Sequence, residues 1–260
     1  MKMNHFKYKN AVGITAMHAY LDDFRYKKHA HQEYAMGVTL RGLQSYHLGG
    51  THHLSHTSGV MLFNPEETHD GQSYDAQGLE YIMLYIKPAM LREALGRTTN
   101  VKFTTPIIYN PRVSDRIIKL WQAIFYDHSE AECHERFVDL IDQFPRQAIS
   151  SSSRADNAKT KLAIEMIKQH YNEKLNLEQL SQALEMSKYQ FIRFFKKQTG
   201  LTPHQYYINY KVERAKQIIE TYKDVYWAIA ECNFVDLTHL NKCFKYCYGV
   251  TAYQFMSKLR

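Results

Sequence analysis

The stretch Phe195-Lys-Lys-Gln-Thr-Gly-Leu-Thr-Pro-His-Gln-Tyr206 returns later in the chain as Phe244-Lys-Tyr-Cys-Tyr-Gly-Val-Thr-Ala-Tyr-Gln-Phe255. Phe195, Gly200 and Thr202 each find a counterpart 49 residues on, at Phe244, Gly249 and Thr251. A constant offset over aromatic, glycine and threonine positions requires one short helical unit to be built twice in the last third of the chain. The unit reads as a helix-turn-helix, which places one helix in a DNA major groove. Two copies predict a chain that reads two successive turns of DNA.

The first copy is well specified. Asn176 with Gln179 three residues on forms a capping box and opens a helix with Leu177, Leu180, Ala183 and Leu184 inward. A turn is expected at Glu185-Met186, and Ser187 with Gln190 opens the next helix. On that helix Phe191, Phe194 and Phe195 face a core, while Tyr189, Ile192, Arg193 and Lys196 lie opposite. Such a stripe suits a major groove, with Arg for guanine, an apolar group for a thymine methyl and Lys for phosphate. Candidate DNA contacts here are Ser187, Lys188, Tyr189, Gln190, Ile192, Arg193, Lys196 and Lys197. In the second copy Asp236 is the N-cap, Leu240 and Phe244 take the core places, and Thr238, Asn241, Lys242 and Lys245 point outward. Asp236 and His239 complete that set of candidate contacts. Between the copies, Tyr207, Val212, Ala215, Ile218 and Ile219 have helical spacing and would bury against both units. A rigid connecting helix would set the separation of two reading helices, adjacent major grooves on one DNA face being about 34 Å apart.

Charge agrees with this reading. Of the net +7, residues 154–260 carry all, with 17 Lys+Arg against 10 Asp+Glu, whereas residues 1–153 balance. A basic unit favours double-stranded DNA as its partner, with binding that weakens steeply in salt. No apolar run approaches the roughly 20 residues needed to span a bilayer, and the N-terminus lacks the apolar stretch of a signal peptide, so no membrane partner and a cytoplasmic location are expected. Cys133, Cys232, Cys243 and Cys247 form no CxxC pair and read as buried thiols. Cys243 and Cys247, four apart on a helix, are assigned to core packing ahead of a redox switch.

The serine run within residues 147–158 has no apolar period and marks a linker. Before it, Val113, Ile117, Leu120, Trp121 and Ile124 share one helical face after Pro111, and Phe137, Leu140, Ile141 and Phe144 form a second stripe. Upstream of Pro106, short apolar runs at Tyr34–Leu40, Val60–Phe63 and Tyr81–Ile86 are separated by Gly and Pro/Asn turns. That punctuation predicts an antiparallel β-barrel or sandwich, with a small helix near Pro88–Leu95. The expected class is α+β: a β domain with a helical segment over residues 1–150, a linker over 151–158, and an all-α domain over 159–260 with helix-turn-helix units at about 177–198 and 225–248.

The last ~100 residues resemble the DNA-binding domain of the AraC/XylS family of bacterial transcription regulators. The resemblance rests on Leu180 to Ser187, Phe195-Lys-Lys, Gly200-Leu-Thr-Pro203, Arg214-Ala215, Phe234 with Asp236, Phe244-Lys245 and Gly249-Val-Thr251. It implies seven helices carrying two helix-turn-helix units. The chain departs from the pattern at Glu185 and Asn233, where Gly is usual, at Ala252 in place of the proline, and at Val235 where a small polar residue is common. The stretches His29-Ala-His-Gln-Glu-Tyr34, Gly42 and Gly59 to His69 resemble the cupin-type sensing domain of the same family. That implies a cupin-like β-barrel that binds a small-molecule effector, and a dimerisation role for Val113, Ile117, Leu120, Trp121 and Ile124 in a homodimer. RNA polymerase is a further candidate partner.

Candidate effector-binding residues are His29, His31, Tyr34, Met36, Asn64, His69, Tyr81 and Tyr85. Tyr34, Tyr81 and Tyr85 alternate with apolar residues and could give a cavity polar tips. A metal-dependent cupin enzyme joined to a DNA-binding domain would instead use His29, His31 and His69 as ligands. Its glutamate should follow the second histidine by four or five residues, where Ala35 and Met36 stand; Glu33 is out of step. The expectation is therefore histidines that hydrogen-bond a small ligand or serve structure, with no metal, no cofactor and no catalytic residues. His52, His53 and His56 are expected to be solvated. The sequence is also compatible with an architectural DNA binder, and with a regulator that acts without an effector.

Overall fold

The computed structural model describes residues 4–126, 128–145, 148–151 and 158–259. Two compact units are present, one of residues 1–25, 31–153 and 258–260 and one of residues 26–30 and 154–257. In the first, strands β1 (His5–Ala11), β2 (Ile14–Leu21), β4 (Tyr34–Arg41), β7 (Val60–Phe63), β9 (Leu79–Ile86) and β11 (Ile107–Ile108) form a six-stranded sheet in the order β1-β2-β9-β4-β7-β11. The three apolar runs of the sequence are β4, β7 and β9, all in this sheet with β4 at the centre. A four-stranded sheet runs β3 (Arg25–His29), β8 (His69–Ser73), β5 (Gln44–Leu48) and β6 (Thr51–Ser55). A third pair joins β10 (Val101–Phe103) to β12 (Ile149–Ser151).

Register divides the six-stranded sheet into two faces, because successive side chains of a strand point oppositely. Tyr34, Met36 and Val38 lie opposite Ile86, Leu84 and Ile82 of β9, and all six belong to a core shared with helices. Ala35, Gly37 and Thr39 lie opposite Tyr85, Met83 and Tyr81, and continue to Phe63 and Met61 of β7 and Met17 of β2. This second face is filled by buried Met17, Met61, Phe63, Met83 and Tyr85. Gly37 is required there, since a Cβ would sit 2.5 Å from the Ile82 carbonyl oxygen and 2.7 Å from the Met83 sulfur.

The helices of this unit are α1 (Pro88–Ala94), α2 (Pro111–Phe125) and α3 (Glu130–Asp142). Asn110 caps α2 by accepting from the Arg112 and Val113 amides, and Pro111 supplies the preset φ of a first helical residue. The stripe assigned to dimerisation is not available for it. Val113, Ile117, Leu120 and Ile124 are at most 1% exposed and lie in the core with Tyr34, Val38 and Ile82 of the sheet. Trp121 stacks on Phe125 at 4.3 Å and donates its indole N–H to the Met17 carbonyl. The amphipathic period is as expected, but the surface that covers it is the chain's own sheet. Of the expected linker at 151–158, Ser151 ends β12 and Ala158 begins the next helix; the residues between lie outside the described residues.

The second unit holds α4 (Ala158–Gln169), α5 (Leu177–Ala183), α6 (Lys188–Thr199), α7 (Pro203–Tyr222), α8 (Val225–Glu231), α9 (Leu237–Tyr248) and α10 (Ala252–Lys258). The sequence repeat is a structural one. Helices α6 and α9 both end at a left-handed glycine, Gly200 at φ 79° and Gly249 at φ 74°. Capping boxes follow, Thr202 with Gln205 and Thr251 with Gln254. Phe195 packs edge-on against Tyr206 at 5.5 Å, and Phe244 meets Phe255 at 5.3 Å, at the same 49-residue offset. Ala252 therefore replaces the proline without loss of the helix start, because the reciprocal Thr251–Gln254 bonds remain. Between the copies, Tyr207, Val212, Ala215, Ile218 and Ile219 of α7 are buried as the periodicity predicts.

Candidate functional site

In the first copy the turn between α5 and α6 aims an exposed helix outward. Ser187 and Gln190 form the capping box, so their side chains are engaged at the helix start. Phe191 and Phe195 are fully buried and fix the rotation of α6. That rotation leaves Tyr189 three-quarters exposed, Arg193, Lys196 and Lys197 exposed, and Ile192 half-buried beside them. The arrangement presents one guanidinium, one aromatic tip and one aliphatic group on a single helix, with two ammonium groups in its last turns. Lys188 instead pairs with Glu178 across the turn. Glu185, at the turn, adopts φ 57°, the left-handed region that disfavours a side chain.

The second copy keeps the frame and changes the face. Asp236 accepts from the His239 amide at 2.7 Å, so its carboxylate caps α9. The His239 ring packs edge-on against Phe234 at 5.3 Å. Thr238, Lys242 and Lys245 stand on the outward side, and all three are exposed. Asn241, expected to read bases, has its side-chain oxygen 3.0 Å from the Ala252 amide and serves as a cap for α10. The Asn241 side-chain oxygen is thus engaged within the helical unit.

Lys211 escapes the sequence reading. This α7 residue is buried, and its ammonium donates to the Asn233 carbonyl at 2.7 Å while lying over the Phe234 ring at 4.7 Å. Asn233 forms the turn between α8 and α9 with φ 50°, and its side-chain amide donates to the Asn172 carbonyl at 2.8 Å. Burial pushes the Lys211 ammonium below its usual range. Lys211 therefore ties the connecting helix to the second turn and positions α9 without facing DNA itself. A lysine within an apolar helical stripe is the only signal the sequence offers for it.

In the β-rich part of the chain the structure gathers some of the expected effector set. His31 and His69 are buried with ring centroids 5.3 Å apart, and His29 is buried as well. His31 packs edge-on against Tyr85 at 5.0 Å, and His69 lies 4.4 Å from the Phe63 ring. Burial first, and then the nearby His31, push His69 down to about 3. Tyr81 shares the Tyr85 face. Tyr34 and Met36 do not join them: both lie on the opposite, helix-packed face, where the Tyr34 hydroxyl donates to the Val101 carbonyl at 2.5 Å. Asn64 stands elsewhere again. It accepts from the Phe103 amide at 2.7 Å, donates to the Phe103 carbonyl at 3.1 Å and donates to Glu67 at 2.8 Å. It lines a cavity of about 420 Å³ together with Leu48, His53, Leu62, Lys102 and Phe103. On β6, His52 is exposed and bonded to Ser45, and His53 is half-buried. Burial raises the Cys243 and Cys247 thiols above their usual range, in keeping with packing.

Two families of known sequences match this chain. The AraC-like ligand binding domain matches residues 11–143, and a helix-turn-helix domain matches residues 180–258. An uncharacterised HTH-type transcriptional regulator of Bacillus subtilis (strain 168), YbfI, is 24% identical over 238 residues, covering 86% of each chain. LumQ of Photobacterium leiognathi, a probable transcriptional regulator, is 35% identical over 92 residues, 34% of this chain and 37% of its own. ToxT from Vibrio cholerae has the same fold, with a TM-score of 0.60 at 9% identity over 95% of this chain and 99% of its own. A β-rich ligand-binding domain followed by a doubled helix-turn-helix, matched over both parts, places this chain in the AraC/XylS family of transcription regulators.

Proposed function

We propose that this regulator reads promoter DNA through α6 and α9 and is controlled by a small amphipathic carboxylate bound in the β-rich unit. The observation that carries the DNA reading is the repeated frame: two helices rotated by equivalent buried residues, Phe191 and Phe195 in one and Leu240 and Phe244 in the other, so that unlike polar faces point outward. Tyr189, Ile192 and Arg193 read bases in the first unit, and Thr238 and Lys242 in the second; Lys196, Lys197 and Lys245 neutralise phosphates. For the effector, the support is the cavity beside Asn64, which sets Lys102 among Leu48, Leu62, Phe103 and Pro106. His53 and Glu67 also belong to that lining, with Glu67 engaged by the Asn64 amide; the ligand we propose is an apolar body with one carboxylate at Lys102, and ToxT has been seen with an unsaturated fatty acid bound. The effector shifts a pre-existing equilibrium between DNA-competent and incompetent states by its difference in affinity for them.

The protein acts on double-stranded DNA in the cytoplasm as a binder, not a catalyst, with RNA polymerase as its second macromolecular partner. Pairing of two copies through α2 and α3 would use their outer faces, where Val138 is exposed, because the inner stripe is buried. The test is selection of random genomic fragments by the purified chain at about physiological salt, where nonspecific phosphate binding is suppressed. An enriched motif with two elements about one helical turn apart supports the reading. No enrichment, with or without a panel of long-chain carboxylates, refutes it.

A further inference from the structure

We propose that Val235 is a specificity-determining residue of this regulator, and that it reads the C5-methyl group of one thymine in the DNA element under α9. The inference deepens the DNA reading given above and rests on it.

The turns of the two copies differ in length. In the first, Glu185 is left-handed, its amide donates to the Gln182 carbonyl, and the Met186 amide donates to the Ser181 carbonyl. In the second, Asn233 is left-handed, its amide donates to the Ala230 carbonyl, and the Phe234 amide donates to the Ile229 carbonyl. These are the same helix stop, bond for bond, at an offset of 48 residues. The N-caps that follow, Ser187 and Asp236, are 49 residues apart. The second turn is therefore one residue longer, and the additional residue is Val235. Its neighbour Phe234 already does the packing of this turn: Met186 lies against the core of the first copy, and Phe234 is buried in the second.

Val235 is left with no packing role. It is 84% exposed, the most open large apolar side chain among the described residues. An apolar residue just before an N-cap often packs on the fourth helical residue, which here is Leu240. Leu240 is fully buried, and a valine this exposed does not join it. The next most open large apolar side chain is Tyr189 at 75%, in the first turn of α6. The two apolar side chains most open to water thus stand at the starts of the two helices assigned to DNA.

Position and chemistry select the contact. The residues at the N-terminal end of a reading helix are those that meet base edges. Asp236, beside Val235, has its carboxylate engaged by the His239 amide. Valine has no donor or acceptor, so it offers nothing to a phosphate or to the polar edges of the other bases. In the major groove thymine alone presents a methyl group, and apolar side chains take it as their partner. Burying that one methyl is worth about four-fold in affinity.

The random-fragment selection is run on the full-length chain and, in parallel, on Val235→Ser, whose thermal melt should match the parent because the residue is exposed. The parent should enrich two elements. Val235→Ser should lose the preference for thymine over cytosine at one position of one element and keep the rest. The enriched duplex is then made with uracil at that position, which removes only the methyl. The parent should bind the uracil duplex about four-fold more weakly, and Val235→Ser should bind both duplexes alike. 5-Methylcytosine in place of cytosine at that position should restore affinity for the parent alone. Uracil in the other element should affect parent and variant equally. Identical motifs from parent and variant, or an equal loss with uracil in both, would overturn the role of Val235 and leave the DNA reading standing. No enriched motif from the parent, with or without the long-chain carboxylates, would overturn both.

Discussion

Replacing Glu185 by glycine should stabilise the helical unit. Glu185 sits between α5 and α6 with φ 57°, and its side chain is exposed. A side chain in the left-handed region costs about 1–2 kcal/mol, because Cβ crowds the following carbonyl oxygen. Glycine removes that cost but loses more chain entropy on folding, roughly 0.5–1 kcal/mol. The net gain is about 0–1.5 kcal/mol, centred near 0.75 kcal/mol, since any interaction of an exposed carboxylate with the neighbouring Lys188–Glu178 pair is weak. For a unit of about 100 residues this is a rise in melting temperature of about 3–6 °C. The control is Asn233→Gly at the matching turn. Asn tolerates the left-handed region, and the Asn233 side chain donates to the Asn172 carbonyl, so this substitution should lower stability by about 1 kcal/mol. Thermal unfolding followed by helical circular dichroism reads both. If Glu185→Gly melted at or below the parent, or if the two substitutions shifted the melt alike, the strain argument would be wrong.

Further outcomes rest on the same geometry. Arg193→Ala should relax base preference at particular positions with a loss of about 1–3 kcal/mol, whereas Lys196→Ala should weaken all sequences alike and lower the salt slope by about one; competition binding over a salt series distinguishes them. Unchanged affinity and preference in Arg193→Ala would remove α6 from the groove. Lys211→Met should leave the fold cooperative but cost about 1–3 kcal/mol, and protection of the DNA segment under the second unit should weaken more than that under the first; equal weakening by footprinting would contradict its positioning role. Asn64→Ala removes both bonds to Phe103 and should destabilise the β-rich unit by about 2–3 kcal/mol in denaturant unfolding. Lys102→Ala should abolish the response of DNA binding to long-chain carboxylates while leaving DNA affinity without them intact.

Much of this architecture is legible in the sequence because it is local. The capping box at Ser187, the helix caps at Asn176 and Asp236 and the three apolar runs of the β-rich unit are set by residues a few places apart, and each forms where expected. Long-range pairing is not legible. Tyr34 and Tyr85 both read as strand tyrosines, but which face each occupies depends on Tyr34 lying opposite Ile86 and Ala35 opposite Tyr85, and a shift of one residue would exchange them. The α2 stripe has the right period, which says that a face is buried without saying by what. Asn241 keeps a polar character suited to DNA, yet the nearest unmet need is the Ala252 amide eleven residues on. Lys211 is hard to read for another reason: its nearest acceptor is the Asn233 backbone carbonyl, and no acidic side chain marks it as a partner.

The inequality between the two copies gives the molecule a direction. A two-fold dimer of identical readers sees the same site from either end, which is why its operators are palindromes. Here one chain carries two related helices in tandem, one bearing Tyr189 and Arg193, the other Thr238 and Lys242 with its Asn241 turned to α10. Such a reader lies on DNA with a head and a tail, so the sequence it prefers is an arrow. Reversing that sequence in place would leave the affinity untouched and turn every other surface of the protein to face the opposite way along the genome.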